Sequence, residues 1–427
     1  MQMKQKLILL LSCFLFIHCF ILEVQAKNRD TESLIITGII KDKNNNQKLG
    51  NVNITVSGNN IGTISNADGE FSLKISQKDI AKGLRISHIG YTNVYLTLDE
   101  IKKQGNHITI WMHPASFILN ETIIYGGDPR DLVERAIRKI ATNYSETENL
   151  YTAFYRETLQ KRNRYIGITE AIMHIFKSNY ETRTLNRDRV QLLKGRRLIS
   201  QKTSDTLAIK VEGGPSLSIY LDIVKNGEGI LDSESLDFYN FNLDLPISID
   251  NRMQYVITFK PWVKLDYALY SGRLYIDQER LSITRAEFEM DMSDKDKAIQ
   301  TILQKKPTGV YFKPMEVSYL VTYKQQGNKT YLNYIGNTIR FKCDWKKRLF
   351  SSTYTAYSEM VMVDRKEPPF EMIKYKDAFK QREVFYDKIN EYWDEDFWKD
   401  YNIIEPTESL ESAVKKLRKR NQEITNN

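Results

Sequence analysis

Two carboxylates in the middle of the chain, Glu157 and Glu170, have the residue type and spacing that could support acid–base chemistry. Glycosidases bring such a pair together from separate strands, one to protonate a leaving group and one to attack or to activate water. Here the pair lies on the two arms of an expected hairpin, close to Arg156, and could face one cleft. A cross-strand ion pair with Arg156 accounts for the same residues without chemistry. No catalytic residue is therefore assigned, and a hydrolase is kept as the alternative reading.

Other chemical devices are weaker. Outside the N-terminal apolar segment the histidines are His88, His107, His113 and His174, and none opens an H-x-x-E or H-E-x-x-H pattern. His107 and His113 share a strand face with Thr109 and Trp111, but at strand rise they stand roughly 20 Å apart, too far to share an ion. No metal ligand is expected, and no cofactor. There is no G-x-S-x-G elbow and no phosphate-cradling glycine loop, and Cys343 sits between Lys342 and Asp344 as an expected half-buried strand cysteine. Arg183, Arg187, Arg189, Lys194, Arg196 and Arg197 form the densest basic run, which reads as a solvated loop face that could meet anionic headgroups or glycans. Tyr392, Trp393, Phe397 and Trp398 interleave with acids and are expected to dock the tail onto a sheet. The ligand-binding residues stay unassigned.

The elements that would position these groups begin with an export signal. Lys4 and Lys6 precede an apolar run over residues 7–22, and Val24-Gln25-Ala26 offers a cleavage site, so 1–26 is expected to be a signal peptide. Leu10-Leu11-Ser12-Cys13 faintly resembles a lipobox, but Cys13 lies within the apolar core, and cleavage near Ala26 is the expectation. Removal leaves Cys343 alone, so no internal disulfide holds the mature chain. The expected setting is the periplasm or outer membrane of a Gram-negative cell, with no transmembrane helix after cleavage. The net charge of +8 is spread over 27% charged residues of both signs, a mixed surface, and nucleic acid is not an expected partner of an exported protein. The 25 Tyr and 18 Phe, with sparse Gly and Pro, suit long antiparallel strands.

Residues 34–115 read as short strands punctuated by turns. Val52, Ile54 and Val56 alternate with polar neighbours, as do Phe71, Leu73 and Ile75 after the turn at Asp68-Gly69. Seven or so strands with no helix pattern predict a small two-sheet sandwich. The run Ile36-x-Gly38-x-Ile40-x-Asp42, then Leu49-Gly50-x-Val52-x-Ile54-x-Val56, resembles the opening of carboxypeptidase-regulatory-like domains. Gly62-Thr63-x-Ser65-x-x-Asp68-Gly69-x-Phe71-x-Leu73 and Ser87-x-Ile89-Gly90-Tyr91 resemble the family's later signatures. The resemblance implies a transthyretin-like β-sandwich, an N-terminal extension common in exported Gram-negative proteins, and no catalysis.

Residues 116–127 read as a linker, and 128–405 as a β-rich body. Asp128-Pro129 starts a helix by capping logic, with Val133, Ala136, Ile137 and Ile140 on one face. Expected strands include 151–160 and 165–176 around the turn at Lys161-Arg162-Asn163-Arg164, then 218–223, 253–259, 268–276, 281–290, 317–323, 330–335 and 337–342. Such a series predicts an α+β domain with a broad curved antiparallel sheet. Its architecture resembles the half-barrel of periplasmic lipoprotein carriers, which folds around a helix and an apolar cavity. Residues 406–427 read as a C-terminal helix and tail. The expected function is a non-enzymatic envelope protein: the sandwich as adaptor, the body as a binding module for an apolar or glycan ligand or a partner protein. An accessory of an outer-membrane complex is the third reading, with an outer-membrane protein, lipid or glycan as candidate partner.

Overall fold

The computed structural model describes residues 33–76, 79, 82–105, 107–115, 126–202, 210–211, 213–345, 351–380, 383–394 and 401–425. The expected signal peptide, most of the expected linker, Phe397 and Trp398 lie outside these residues.

The first seven strands are β1 (Ser33–Asp42), β2 (Asn53–Val56), β3 (Gly62–Ile64), β4 (Glu70–Ser76), β5 (Leu84–Ser87), β6 (Val94–Leu96) and β7 (His107–Met112). They form two sheets, in orders β4-β1-β7 and β3-β2-β5-β6, with β1 and β7 parallel. The alternating apolar residues of both sheets, Ile36, Ile40, Val52, Ile54, Phe71, Leu73, Leu84 and Ile110 among them, fill one core. Gly69 turns the chain at φ 73°, where a Cβ would lie 2.7 Å from the Ile40 carbonyl oxygen. Only glycine fits that turn, and Phe71 enters the core directly after it.

One helix was not expected in this unit: α1 (Leu98–Gln104). Its cause is local. The Thr97 hydroxyl accepts from the Glu100 N–H, the Glu100 carboxylate accepts from the Thr97 N–H, and Ile101 anchors the helix to the core.

The body contains a ten-stranded antiparallel sheet in the order β10-β9-β8-β19-β18-β17-β15-β14-β13-β12. Its strands are β8 (Asn149–Lys161), β9 (Arg164–Lys177), β10 (Arg189–Ile199), β12 (Tyr239–Ile249), β13 (Arg252–Pro261), β14 (Tyr270–Asp277), β15 (Ile283–Met290), β17 (Val310–Gln326), β18 (Lys329–Trp345) and β19 (Ser352–Lys366). A small pair, β11 (Lys210–Val211) with β16 (Leu303–Lys305), stands apart. The sheet does not close into a barrel. Arg162 and Asn163, both at positive φ (49° and 62°), make the two-residue hairpin turn between β8 and β9.

The sheet's inner face carries α2 (Pro129–Arg138) and α3 (Ile140–Asn143), with Asp128 capping α2 as expected. Leu132, Val133 and Ala136 pack with residues from β10 at one edge across to β13, so the sheet bends around them. Residues 218–223 are not a strand: α4 (Pro215–Tyr220), opened by Gly214 at φ 97° and Pro215 in the first turn, ends within them. The two expected strands at 330–335 and 337–342 are one continuous β18. At the far end of the inner face, α5 (Lys295–Ile302) covers Phe312, Phe341 and Cys343.

The outer face is covered by the sandwich and the tail. Ile64 of β3 packs with Phe154, Ile172, Tyr334, Val361 and Ile404. Asn402 accepts from the Lys74 N–H at 2.6 Å and donates to its carbonyl at 3.0 Å, so residues 401–404 run between the two units. The last helix, α7 (Glu408–Thr425), lays Leu410, Val414 and Leu417 on Ile168 and Leu198. Among the described residues no helix is long and apolar enough to cross a membrane.

His88 sits beside this junction. Burial first, and then the charge of Arg285 on β15, pull its pKa down from 6.5 to about 4. The unfolded chain therefore binds more protons between those values, and stability is lost as pH falls through that window. His88→Gln is expected to flatten the melting temperature between pH 6.5 and 4; parallel curves for variant and wild type would contradict this.

Candidate functional site

The β8–β9 hairpin decides what Glu157 and Glu170 can do. Had the pairing followed the turn regularly, both glutamates would share a face. A bulge at Ile166 intervenes: Gln160 pairs with Tyr165, but Leu159 pairs with Gly167. Beyond it Arg156 opposes Glu170 and Glu157 opposes Thr169. A one-residue slip exchanges the faces, so Glu157 points inward and Glu170 outward. The expected shared cleft does not exist, and the paired-carboxylate reading loses its geometry.

Glu170 belongs to an ionic row on the outer face. Arg156 Nε donates to Glu170 Oε1 at 2.6 Å, Arg156 Nη1 to Glu359 Oε1 at 3.1 Å, and Arg196 Nε to Glu170 Oε2 at 2.5 Å. Arg156 Nη2 adds a bond to the Ile404 carbonyl at 2.8 Å, tying the tail to the row. Burial acts to raise the Glu170 pKa, but Arg156 and Arg196 outweigh it and hold the carboxyl below its ordinary value. This is an occupied structural network.

Glu157 stands on a different row. Strand register aligns Arg197, Thr169, Glu157, Ser358 and Asn337 side by side across β10, β9, β8, β19 and β18. All of them line an inner-face cavity of about 680 Å³. On one side of the row the next inner positions are Leu159, Ala356 and Ile339, which line the cavity with Ile166 and Phe341. On the other side Ala171, Tyr155, Met360 and Ile335 belong to the solid core under α2. The cavity thus begins where that core ends, with the polar row at the boundary. Phe385 and Tyr386 of α6 (Phe385–Lys388) contribute a further wall.

Glu157 is held in place rather than free to swing. The Tyr155 hydroxyl donates to Glu157 Oε1 at 2.6 Å and the Gly214 N–H donates to the same oxygen at 2.8 Å. The group lies deep in the protein yet keeps accessible surface, because it opens on the cavity. Burial raises its pKa against these two hydrogen bonds. Asn337, at the end of the row, has a buried Oδ1 with no hydrogen-bond partner among the described residues. Arg197, at the other end, lies over the Tyr386 ring at 4.2 Å and donates to the Tyr386 carbonyl at 2.9 Å.

The remaining expected residues are dispersed. His107 is exposed and bonded to Thr37 at 3.0 Å, and among the described residues no cluster of His, Cys, Asp or Glu could hold a metal ion. Cys343 is fully buried rather than half-buried, and burial pushes its thiol up to about 12, which removes it as a nucleophile. The basic run is not a solvated loop face. Lys194, Arg196 and Arg197 are on β10; Arg183 turns inward to the Val224 and Leu231 carbonyls, Arg187 pairs with Glu148, and Lys194 pairs with Asp394. Tyr392 packs against the inner core while Trp393 is half exposed and bridges to Gly195, so this part of the tail lies along β10.

The family comparison bears on the sandwich. Residues 36–124 match the CarboxypepD_reg-like domain. The N-terminal unit is a CarboxypepD_reg-like domain. The carboxypeptidase-regulatory-like unit is as expected from the sequence, with seven strands among the described residues. No curated protein matches the chain. Among solved structures, a putative outer membrane lipoprotein-sorting protein domain from Vibrio parahaemolyticus is 10% identical, covering 58% of this chain and 95% of its own, at a TM-score of 0.24. A DUF1329 family protein from Desulfovibrio piger is 9% identical, covering 56% and 94%, also at 0.24. At that TM-score neither superposition decides a function for the body.

Proposed function

We propose that this is a non-enzymatic cell-envelope protein whose ten-stranded body binds an amphiphile in the inner-face cavity. The observation that carries the reading is the cavity itself: about 680 Å³, walled by Leu159, Ile166, Ile339, Phe341 and Phe385, and crossed by one polar row. That volume is within the roughly 300–1,000 Å³ of small-molecule sites, which combine apolar walls with a few placed polar groups. Burying an alkyl chain there gains roughly 0.8 kcal/mol per methylene. The envelope setting is supported by the apolar run and cleavage-type tripeptide at the N-terminus. The sandwich, docked on the outer face, acts as a fixed mount for an outer-membrane partner.

Titration of the mature protein with the neutral apolar dye N-phenyl-1-naphthylamine tests the reading. Saturable fluorescence enhancement is expected, weakened by about tenfold or more in Ala356→Trp, whose indole fills the space beside Leu159 and Ile339. Equal affinity in the two proteins would overturn the proposal.

A further inference from the structure

We infer that the row Glu157–Ser358–Asn337 selects an amphiphile whose head donates hydrogen bonds and carries no negative charge, such as a hydroxyl or amine head. The inference rests on the cavity reading above and adds the chemistry of the ligand's polar end. Both protein donors to Glu157 end on Oε1, so among the described residues Oε2 keeps its acceptor capacity toward the cavity. Tyr155, which holds that carboxyl, itself accepts from the Ser218 hydroxyl at 3.4 Å. Asn337 ends the row with a buried oxygen that lacks a partner among the described residues.

A buried acceptor without a donor is a standing cost that a ligand N–H or O–H removes. Strand spacing sets successive members of the row about 5 Å apart, so Glu157 and Asn337 stand about 10 Å apart with Ser358 between them; a head with several hydroxyls spans the row, and an amine meets one acceptor. The lining charges point the same way. Among the described lining residues Glu157, Glu383 and Asp387 are acidic, and Arg197 is the cation, already engaged by Tyr386. A carboxylate or phosphate head would sit beside Glu157 as a like charge in a desolvated site.

Three probes sharing one alkyl chain test this by displacement of N-phenyl-1-naphthylamine at pH 7: monolauroylglycerol, dodecylamine and laurate. The two donor heads are expected to bind roughly tenfold or more tightly than laurate, the effect of leaving one buried acceptor unpaired. Glu157→Gln keeps an oxygen for Tyr155 and Gly214 but presents an NH2 group to the cavity. It is expected to bring the ratio of glycerol to laurate affinity close to one. That ratio is taken within a single protein, so it is independent of the folded fraction. Laurate binding as tightly as the donor heads, or a ratio unchanged in Glu157→Gln, overturns this inference alone. Absence of binding by all three, or binding untouched by Ala356→Trp, overturns the cavity reading and this inference with it. Preference for dodecylamine over monolauroylglycerol identifies the source as an amine; the reverse identifies a hydroxylated head.

Discussion

Arg156→Ala is expected to destabilise the protein by about 3–5 kcal/mol at neutral pH, the usual cost of removing one partner from a buried ion pair. The magnitude follows from what stays behind. Glu170 and Glu359 face each other across the vacated site, both deep in the protein, and the Ile404 carbonyl loses its donor. Burial already raises the Glu359 pKa against Arg156, so without the guanidinium its charge is held at a larger penalty. The sign with pH is fixed by Glu170, whose folded pKa is depressed. Its contribution is present above the ordinary carboxylate range and is lost as pH falls through the folded value. The gap between variant and wild type is therefore largest near pH 7 and narrows on acidification. Urea denaturation at several pH values measures it, and a difference below about 1 kcal/mol at pH 7, the level of an exposed pair, would contradict the account.

Lys177→Met is expected to be comparably severe, about 3–5 kcal/mol, for the same physical reason in a different place. The Lys177 ammonium is inaccessible to solvent and lies 2.9 Å from Asp222 and 3.1 Å from Asp188. Asp222 also accepts from the Tyr180 and Tyr323 hydroxyls, both at 2.8 Å, and Asp188 from the Ser178 N–H and hydroxyl. Burial works against the ammonium, but the two carboxylates prevail and raise its pKa. This cluster pins the segment after α4 onto the inner face, which closes the core end of the body and leaves the cavity at the other. The double variant Lys177→Met with Asp222→Asn is expected to recover part of the loss, because the amide removes the stranded charge, its oxygen still accepts from one of the two tyrosines and its NH2 can donate to the hydroxyl of the other. If the double variant is less stable than Lys177→Met, the loss arises from packing rather than from stranded charge.

Legibility in the sequence followed the range of the interactions. The sandwich was readable because its strands alternate over a few residues and its turns carry their own chemistry, Gly69 above all. The β8–β9 hairpin and the capped α2 were readable for the same local reason. β10 was hidden by its own arginines, whose charge reads as a solvated loop although several of them are paired in the structure. β12 is an edge strand with Pro246 and exposed Leu245, and its alternation gives little core signal. The face of Glu170 depended on a single bulged residue, Ile166, which no period in the sequence marks. The cavity's polar row was illegible in principle: its residues come from five strands brought together by register, from 157 to 358 in the chain. The capping box at Thr97 and Glu100 and the Asp294 cap of α5 are local helix signals in the sequence, masked by the strands around them.

Native mass spectrometry of the mature protein, extracted gently from envelopes, tests the central claim most directly. A discrete mass excess is expected in the wild type, released by collisional activation as a non-anionic amphiphile and absent from Ala356→Trp. A single unliganded mass for both proteins, or the same bound species in each, would contradict an inner-face cavity built to hold such a ligand.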